Sequence, residues 1–402
     1  MGANAGPDIV SDGLVLALDA ADNNSFRGEP TTNVVSNSQP TTGWGVSLAN
    51  STYPDVTCTR QYLVESGVSF IRLTNVTYNS GYPRVTDTVF ANSATITGTF
   101  AISFEARGTD GARLDLKIYE GGSTKVTATA YLTPEWTRYT FSRTTGFNLT
   151  RPYIVPVTTG ATYDITNIQI EAKPSATRFT TGTRGTTVAN GGGWADISGN
   201  DNHGEILNGT TTSNDGSVLG ALDFDGVDDY LSIDTTNLNN LTEGSLEFWF
   251  KSNTTGYLVG FFTDIENYFT IVTGDSTGFW SDESIRVIYR KGSTYFYNYA
   301  AREGNSYYAD NNWHQCVFTV DSSGNNLYTN GSLLSVEQWS QSTEGNSSTR
   351  WLNDLSPSTI ALARRVDNYT NVEIASAKFY NRALTASEVL QNYNTQKTRF
   401  GL

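Results

Sequence analysis

ALDFDGVDDYLSID, residues 221–234, sets the fold class. Leu222 and Phe224 alternate with Asp223 and Asp225, so one face of a strand is apolar and the other acidic. Gly226 then breaks the alternation and marks a turn. Downstream, CVFTVDSSGNNLYTNGSLLSV (316–336) reads as a strand, a Gly-containing turn, a short strand, an Asn330-Gly331 turn and another strand. Asn-Gly is the strongest short hairpin signal. Upstream, ATITGTFAISFEAR (94–107) places Ile102, Phe104 and Ala106 on one face, and LDLKIYE (114–120) alternates Leu114, Leu116 and Ile118 with Asp115, Lys117 and Tyr119. WTRYTFSR (136–143) comes after a break at Pro134.

One segment predicts a helix. In Leu384-Thr385-Ala386-Ser387-Glu388-Val389, Thr385 can cap the N-terminus and Glu388 can reach back to it, while Leu384 can meet Val389. The helix should run from about Ala386 to Tyr393. Strands throughout and one late helix predict an all-β architecture of sandwich or jelly-roll type.

Composition agrees. Charged residues make up only 16% of the 402, and Gly, Ser, Thr and Asn recur throughout, which suits short strands and tight turns. The net charge of -14, with no Lys/Arg run longer than two, argues against nucleic acid and against anionic lipid as partners. No apolar run approaches the roughly 18 residues of a membrane-spanning helix. The start, MGANAGPDIVSDG, has neither the charged nor the apolar part of a signal peptide. Cys58 and Cys316 lie far apart and form no CxxC, so they read as two ordinary thiols.

Several stretches carry a family likeness. WADISGNDNHGEILNG together with FDGVDDYLSI resembles the opening of concanavalin A-like, laminin-G-type domains. WHQCVFTVD (313–321) with LYTNG (327–331) resembles their central hairpin, and AKFYNRALTASEVLQNYN (377–394) their closing strand and helix. GLVLALDAADNNSF (13–26) resembles the first strand of the same domain, although some 165 residues separate it from the DISGN motif. LTPEWTRYTFS (132–142) and YDITNIQIEAKPSATRF (163–179) look like the carbohydrate-binding-module-type jelly rolls of phage tail and baseplate proteins. The resemblance implies a discontinuous laminin-G-like β-sandwich over 8–28 and 186–395, a jelly-roll β-sandwich inserted at 30–184, an arm at 1–7 and a tail at 396–402.

The search for chemistry finds little. Hydrolases on this type of fold resemble one another in closely spaced carboxylates, as in ExDxE, and that motif is absent. Glu247 stands alone in its strand, and Asp264 and Glu266 lack a third partner. The chain has two histidines, His203 and His314, neither beside a nucleophile on a Gly-rich elbow. Calcium is the ion the acidic turns could hold, since hard cations take several oxygen ligands. Asp196, Asn200 and Asp201 crowd one turn, and Asp223, Asp225, Asp228 and Asp229 another. Laminin-G-like domains often carry a structural calcium, yet Asp and Asn also stabilise tight turns with no metal. Finally, STYFYNYA (293–300) places Tyr295, Tyr297 and Tyr299 on one face of a strand, flanked by Arg286, Arg290 and Arg302. That stripe could pack in a core, meet another protein, or stack on sugar rings.

These readings predict a non-enzymatic protein. The resemblance implies an accessory protein of a tailed-phage virion, on capsid, neck or tail, assembled in the bacterial host cytoplasm. Its partners would be other virion proteins, copies of itself and host-surface polysaccharide. Two alternatives stay open, a dedicated glycan-binding adhesin of the tail-fibre kind and a polysaccharide depolymerase.

Overall fold

A computed structural model describes residues 8–32, 35, 39, 44–47, 57–77, 84–87, 96–120, 123–149, 151–173, 175–208, 211–212, 220–273, 285–301, 308–338 and 342–402. The chain divides into two compact units, one of Met1–Pro30 with Gly185–Leu402, the other of Thr31–Arg184. Both are built from antiparallel strands.

The second unit stacks two five-stranded sheets. One runs Thr137–Leu149, Ile96–Gly108, Tyr163–Glu171, Val68–Thr77, Thr57–Glu65; the other runs Trp44–Ser47, Arg84–Asp87, Arg151–Pro156, Arg113–Glu120, Ser123–Tyr131. Ile102, Phe104, Leu114, Leu116 and Ile165 meet in its core, on the faces that alternation assigns them. Its two ends are joined. Thr31–Thr32 pairs antiparallel with Thr183–Arg184. The fully buried Glu171 carboxylate accepts hydrogen bonds from the Thr31 hydroxyl at 2.6 Å, from the Thr177 N–H at 2.8 Å, and from the Thr177 hydroxyl. That bonding gives the Glu171-to-Thr177 stretch of the jelly-roll likeness a mechanical role.

The first unit is a sandwich of two eight-stranded sheets among the described residues. Sheet I runs Thr211–Thr212, Leu222–Asp225, Asn371–Tyr380, Gly244–Lys251, Trp313–Asp321, Gly324–Thr329, Ser332–Leu333, and Leu14–Asp19 also pairs with Asn371–Tyr380. Sheet II runs Gly204–Leu207, Tyr230–Ile233, Thr359–Leu362, Gly256–Phe262, Asn267–Thr273, Ile285–Lys291, Thr294–Ala301, Val336–Gln338. Leu246, Phe248 and Phe250 of sheet I meet Phe261, Phe269 and Ile271 of sheet II in the core. Each such side chain removed from water contributes roughly 1.5–3 kcal/mol.

The outer face of sheet I is also covered. Every residue of Gly244–Lys251 is buried, because the helix Ala386–Gln396 and the chain after it lie over Glu247 and Trp249. The helix begins as the capping box predicts, with the Glu388 N–H donating to the Thr385 hydroxyl. Its bonds with Arg382, and then with Thr385, hold the Glu388 carboxyl down at about 2. Residues 396–402, read from sequence as a tail, are instead part of the unit. Lys397–Phe400 forms a 3-10 turn, Phe400 stacks on Trp249 with centroids 4.1 Å apart, and Arg399 pairs with Asp19 at 2.8 Å. The arm, 1–7, lies outside the described residues.

Candidate functional site

The tyrosine strand does not present the stripe its alternation predicts. Opposite Ile285–Lys291, the register pairs Tyr289 with Tyr297 but Arg290 with Tyr295, so Phe296 is an extra residue in a β-bulge. A one-residue slip sends the rest of the strand to the other face. Tyr297 is therefore fully buried in the core, its hydroxyl donating to the Arg350 carbonyl at 3.2 Å. Tyr295 stays on the outer face of sheet II with Phe262 and Tyr268, and the Arg290 guanidinium lies 5.1 Å from its ring centre. Arg286 shares that face by register. The side chain of Tyr299, and Arg302 entirely, lie outside the described residues.

The two acidic turns behave differently. Asp196 is committed to the protein. Its Oδ1 accepts the N–H groups of Ala17 and Ser198 at 2.8 Å each, and its Oδ2 accepts the Ser198 hydroxyl and the Asn202 N–H. Asn200 and Asn202 donate to the carbonyls of Leu14 and Val15. The DISGN loop thus satisfies the edge of strand Leu14–Asp19 that no other strand pairs, a task of edge protection. Asp201 is exposed, with a left-handed φ of 59°. Four protein donors on the Asp196 oxygens account for Asp196 as a turn former, the other reading of the metal site expected at Asp196, Asn200 and Asp201.

At the second turn Asp225, Asp228 and Asp229 do converge, each offering an oxygen within 4.8 Å of the others. Gly226 permits the turn with a φ of 77°. Burial, and then the charge of Asp225, push the Asp229 carboxyl up to about 6, with Asp228 and Asp223 adding to it. Asp223 points to a different neighbour, Glu373 across the strand pair, and burial raises its carboxyl too. Three crowded carboxylates, one of them buried, fit the donor set of a hard cation.

A pocket of about 400 Å³ opens beside the outer face of sheet II, lined by His203, Glu205, Ser232, Asp234, Thr235 and Ser358, with Ile233 and Thr359. His203 Nδ1 accepts the Asp196 N–H at 3.0 Å, so the ring proton sits on Nε2. Glu205 accepts the Thr186 hydroxyl at 2.9 Å. The Thr236 hydroxyl and N–H hold the Asp234 carboxyl below its usual value. One ring N–H, two carboxylates and several hydroxyls can exchange hydrogen bonds with a polyol. His203, Glu205, Ser232 and Ile233 fall within the two stretches that carry the laminin-G likeness, whereas Ser358 and Thr359 come from far downstream.

Glu247, the lone acid of its strand, is fully buried under the helix. It lies 3.4 Å from Lys378, 3.2 Å from Gln315 and 2.6 Å from Asn392. That arrangement gives it no path to a substrate.

A laminin-G family profile, described as the Concanavalin A-like lectin/glucanases superfamily, matches residues 225–390. That part of the chain is similar to a concanavalin A-like domain, and it is set in an all-β protein. No curated protein matches the chain. Among solved structures, the chain is similar to the binding domain of botulinum neurotoxin serotype D, 15% identical, TM-score 0.37, covering 50% of this chain and 49% of that one. The binding domain of Paraclostridial Mosquitocidal Protein 1 is 16% identical, TM-score 0.37, with coverages of 50% and 49%. Domain 4 of AbnA, a GH43 extracellular arabinanase from Geobacillus stearothermophilus in complex with arabinotriose, is 17% identical, TM-score 0.37, with coverages of 50% and 92%. The match spans about half the length of the toxin binding domains.

Proposed function

We propose that this protein is a non-enzymatic surface protein of a tailed-phage virion that binds host-surface glycan through the pocket around His203 and Glu205. The pocket carries the reading, since its donors and acceptors suit sugar hydroxyls and it adjoins an aromatic face. The virion assignment rests on the likeness of the DISGN, central-hairpin and closing-helix motifs. It brings with it assembly in the host cytoplasm, self-association and contact with other virion proteins. Ser232→Tyr fills the pocket from a half-exposed strand position. It should weaken glycan binding at least tenfold in calorimetry while leaving the melting curve nearly unchanged. A glycan array on which the unaltered protein binds nothing would sink the proposal. Release of reducing sugar from host polysaccharide would instead favour a depolymerase.

A structural calcium belongs to the same proposal, held by Asp225, Asp228 and Asp229. Asp229 titrates at about 6 in the folded chain against 3.8 as a free side chain, so the folded state binds more protons between those values. Without metal, its contribution to stability is therefore largest below pH 3.8 and lost as pH rises through about 6. A bound cation reverses that trend, since it binds the carboxylates of the native state. With chelator the melting temperature should drop as pH rises from 5 to about 7, and millimolar calcium should abolish the drop. Identical curves with chelator and with calcium leave these residues as turn formers only.

A further inference from the structure

The outer face of sheet II carries, beyond the pocket, a set of guanidinium groups that stands apart from the acidity of the chain. The short ribbon Arg364–Arg365 with Asn368–Tyr369 folds back over it, and the Arg364 carbonyl lies so close to Gly260 that an added Cβ would meet it at 2.4 Å. Arg365 therefore lies over tyrosines, its guanidinium carbon 4.3 Å from the ring centre of Tyr268 and 4.9 Å from that of Tyr257. Arg364 is 4.3 Å from the ring centre of Tyr230. Stacking of this kind fixes the plane of an arginine and removes water from its faces, while its N–H groups still need acceptors.

Among the described residues, buried carboxylate acceptors are missing here. Arg365 has no carboxylate partner among the described residues, and its Nε is buried without an acceptor. Arg364 donates its Nε to the Val366 carbonyl, and its carboxylate neighbour among the described residues is Asp367, 3.9 Å away and 92% exposed; Arg290 donates its Nε to the Gly292 carbonyl at 2.9 Å and has Glu266 at 3.4 Å, 60% exposed. Among the described residues, these three arginines thus share one sheet face with no buried carboxylate beside them, in a protein with 40 acidic and 26 basic residues. Such a group gains most from a ligand carboxylate, which a guanidinium takes in two parallel charge-assisted bonds.

The arginines and the pocket share one face. Ser232 pairs with Ala361, Thr359 with Phe262, and Phe262 with Tyr268, so the pocket wall leads strand by strand to the ring beneath Arg365. Glu205 and Asp234 in the pocket accept hydroxyl protons and repel carboxylates, whereas Arg365 and Arg364 do the reverse. A chain of sugars carrying both groups would complement this face in one register.

We propose that the glycan this face takes is a carboxylated polysaccharide, its sugar hydroxyls in the pocket and its carboxylate on Arg365, a reading that rests on the glycan-binding function above. The test uses oligogalacturonate and its carboxyl-reduced, neutral counterpart, titrated into the full chain and into Arg365→Gln, Arg365→Lys and Ser232→Tyr, each variant checked for an unchanged melting curve. The acidic oligomer should bind at least tenfold more tightly than the neutral one, and should lose that margin in 0.5 M salt. Arg365→Gln should remove most of the margin and leave the neutral oligomer unaffected, with Arg365→Lys between. Equal binding of both oligomers, or an Arg365→Gln variant that keeps the margin, overturns the inference while leaving the pocket reading intact. If Arg365→Gln fails to fold, the salt dependence of the unaltered protein decides. A protein that binds neither oligomer nor any glycan on an array loses both.

Discussion

Glu247→Ala is expected to destabilise the first unit by about 3–5 kcal/mol, the cost of leaving a buried partner charge uncompensated. The residue is fully buried, and the Lys378 side chain facing it is 3% exposed. Glu247 Oε1 faces Lys378 at 3.4 Å and accepts from Gln315 at 3.2 Å, while Oε2 accepts from Asn392 at 2.6 Å. The network reaches further. Asn392 Oδ1 receives the Val10 N–H at 2.8 Å, the Tyr380 hydroxyl donates to the Val10 carbonyl at 3.1 Å, and Lys378 reaches Gln396 at 2.9 Å. Burial, and then the Glu247 charge, push the Tyr380 hydroxyl well above its ordinary value. One carboxylate therefore ties the closing helix and the segment around Val10 to sheet I.

The measurement is urea unfolding of the full chain, together with hydrogen exchange at the Val10 amide. Lys378→Met should be comparably damaging alone. Glu247→Leu with Lys378→Met should recover much of the loss, because two apolar groups leave no orphaned charge. A loss under about 1 kcal/mol for Glu247→Ala, with Val10 exchange unchanged, would show that water reaches the network.

The sequence carried local rules well and long-range partners poorly. The Thr385–Glu388 capping box was readable because both groups lie within one helical turn. The hairpin at Asn330-Gly331 was readable because that dipeptide suits left-handed backbone, and the two residues have φ values of 49° and 80°. The alternation at Leu222 and Phe224 held, and both are buried. The helix ran three residues beyond Tyr393 and the chain after it docked, since Phe400 found a seat on Trp249 and Trp313, contributed by strands far away in sequence. Metal and turn readings of Asp196 could not be separated from composition. The four donors that support the turn reading come from Ala17, Ser198 and Asn202, and the first of these lies 179 residues away. The pocket is not legible in the sequence because Ser358 and Thr359 line it from far downstream, and Arg364-Arg365 carries no signal until the ribbon turns the pair onto tyrosines.

Tyr297→Ala tests the one place where a local rule failed. Strict period-two alternation puts Tyr295 and Tyr297 together, whereas the bulge at Phe296 separates them by the thickness of the sheet. The Tyr297 ring lies 5.2 Å from that of Tyr289, 6.0 Å from Phe318 and 6.2 Å from Phe269, all in the core. Removing it leaves a cavity among rigid aromatic neighbours, and truncations of that kind cost about 3–5 kcal/mol. Tyr297→Phe keeps the ring but leaves the Arg350 carbonyl without its donor, at about 1 kcal/mol. Tyr295→Ala removes a half-buried ring from the outer face and should destabilise much less, while weakening binding of the acidic oligomer there. Thermal melts and the oligogalacturonate titration, run on the three variants together, separate the two faces. Were Tyr297→Ala to melt like the unaltered protein and lose ligand instead, the bulge would be misplaced, and the tyrosines would form the single exposed stripe that alternation alone predicts.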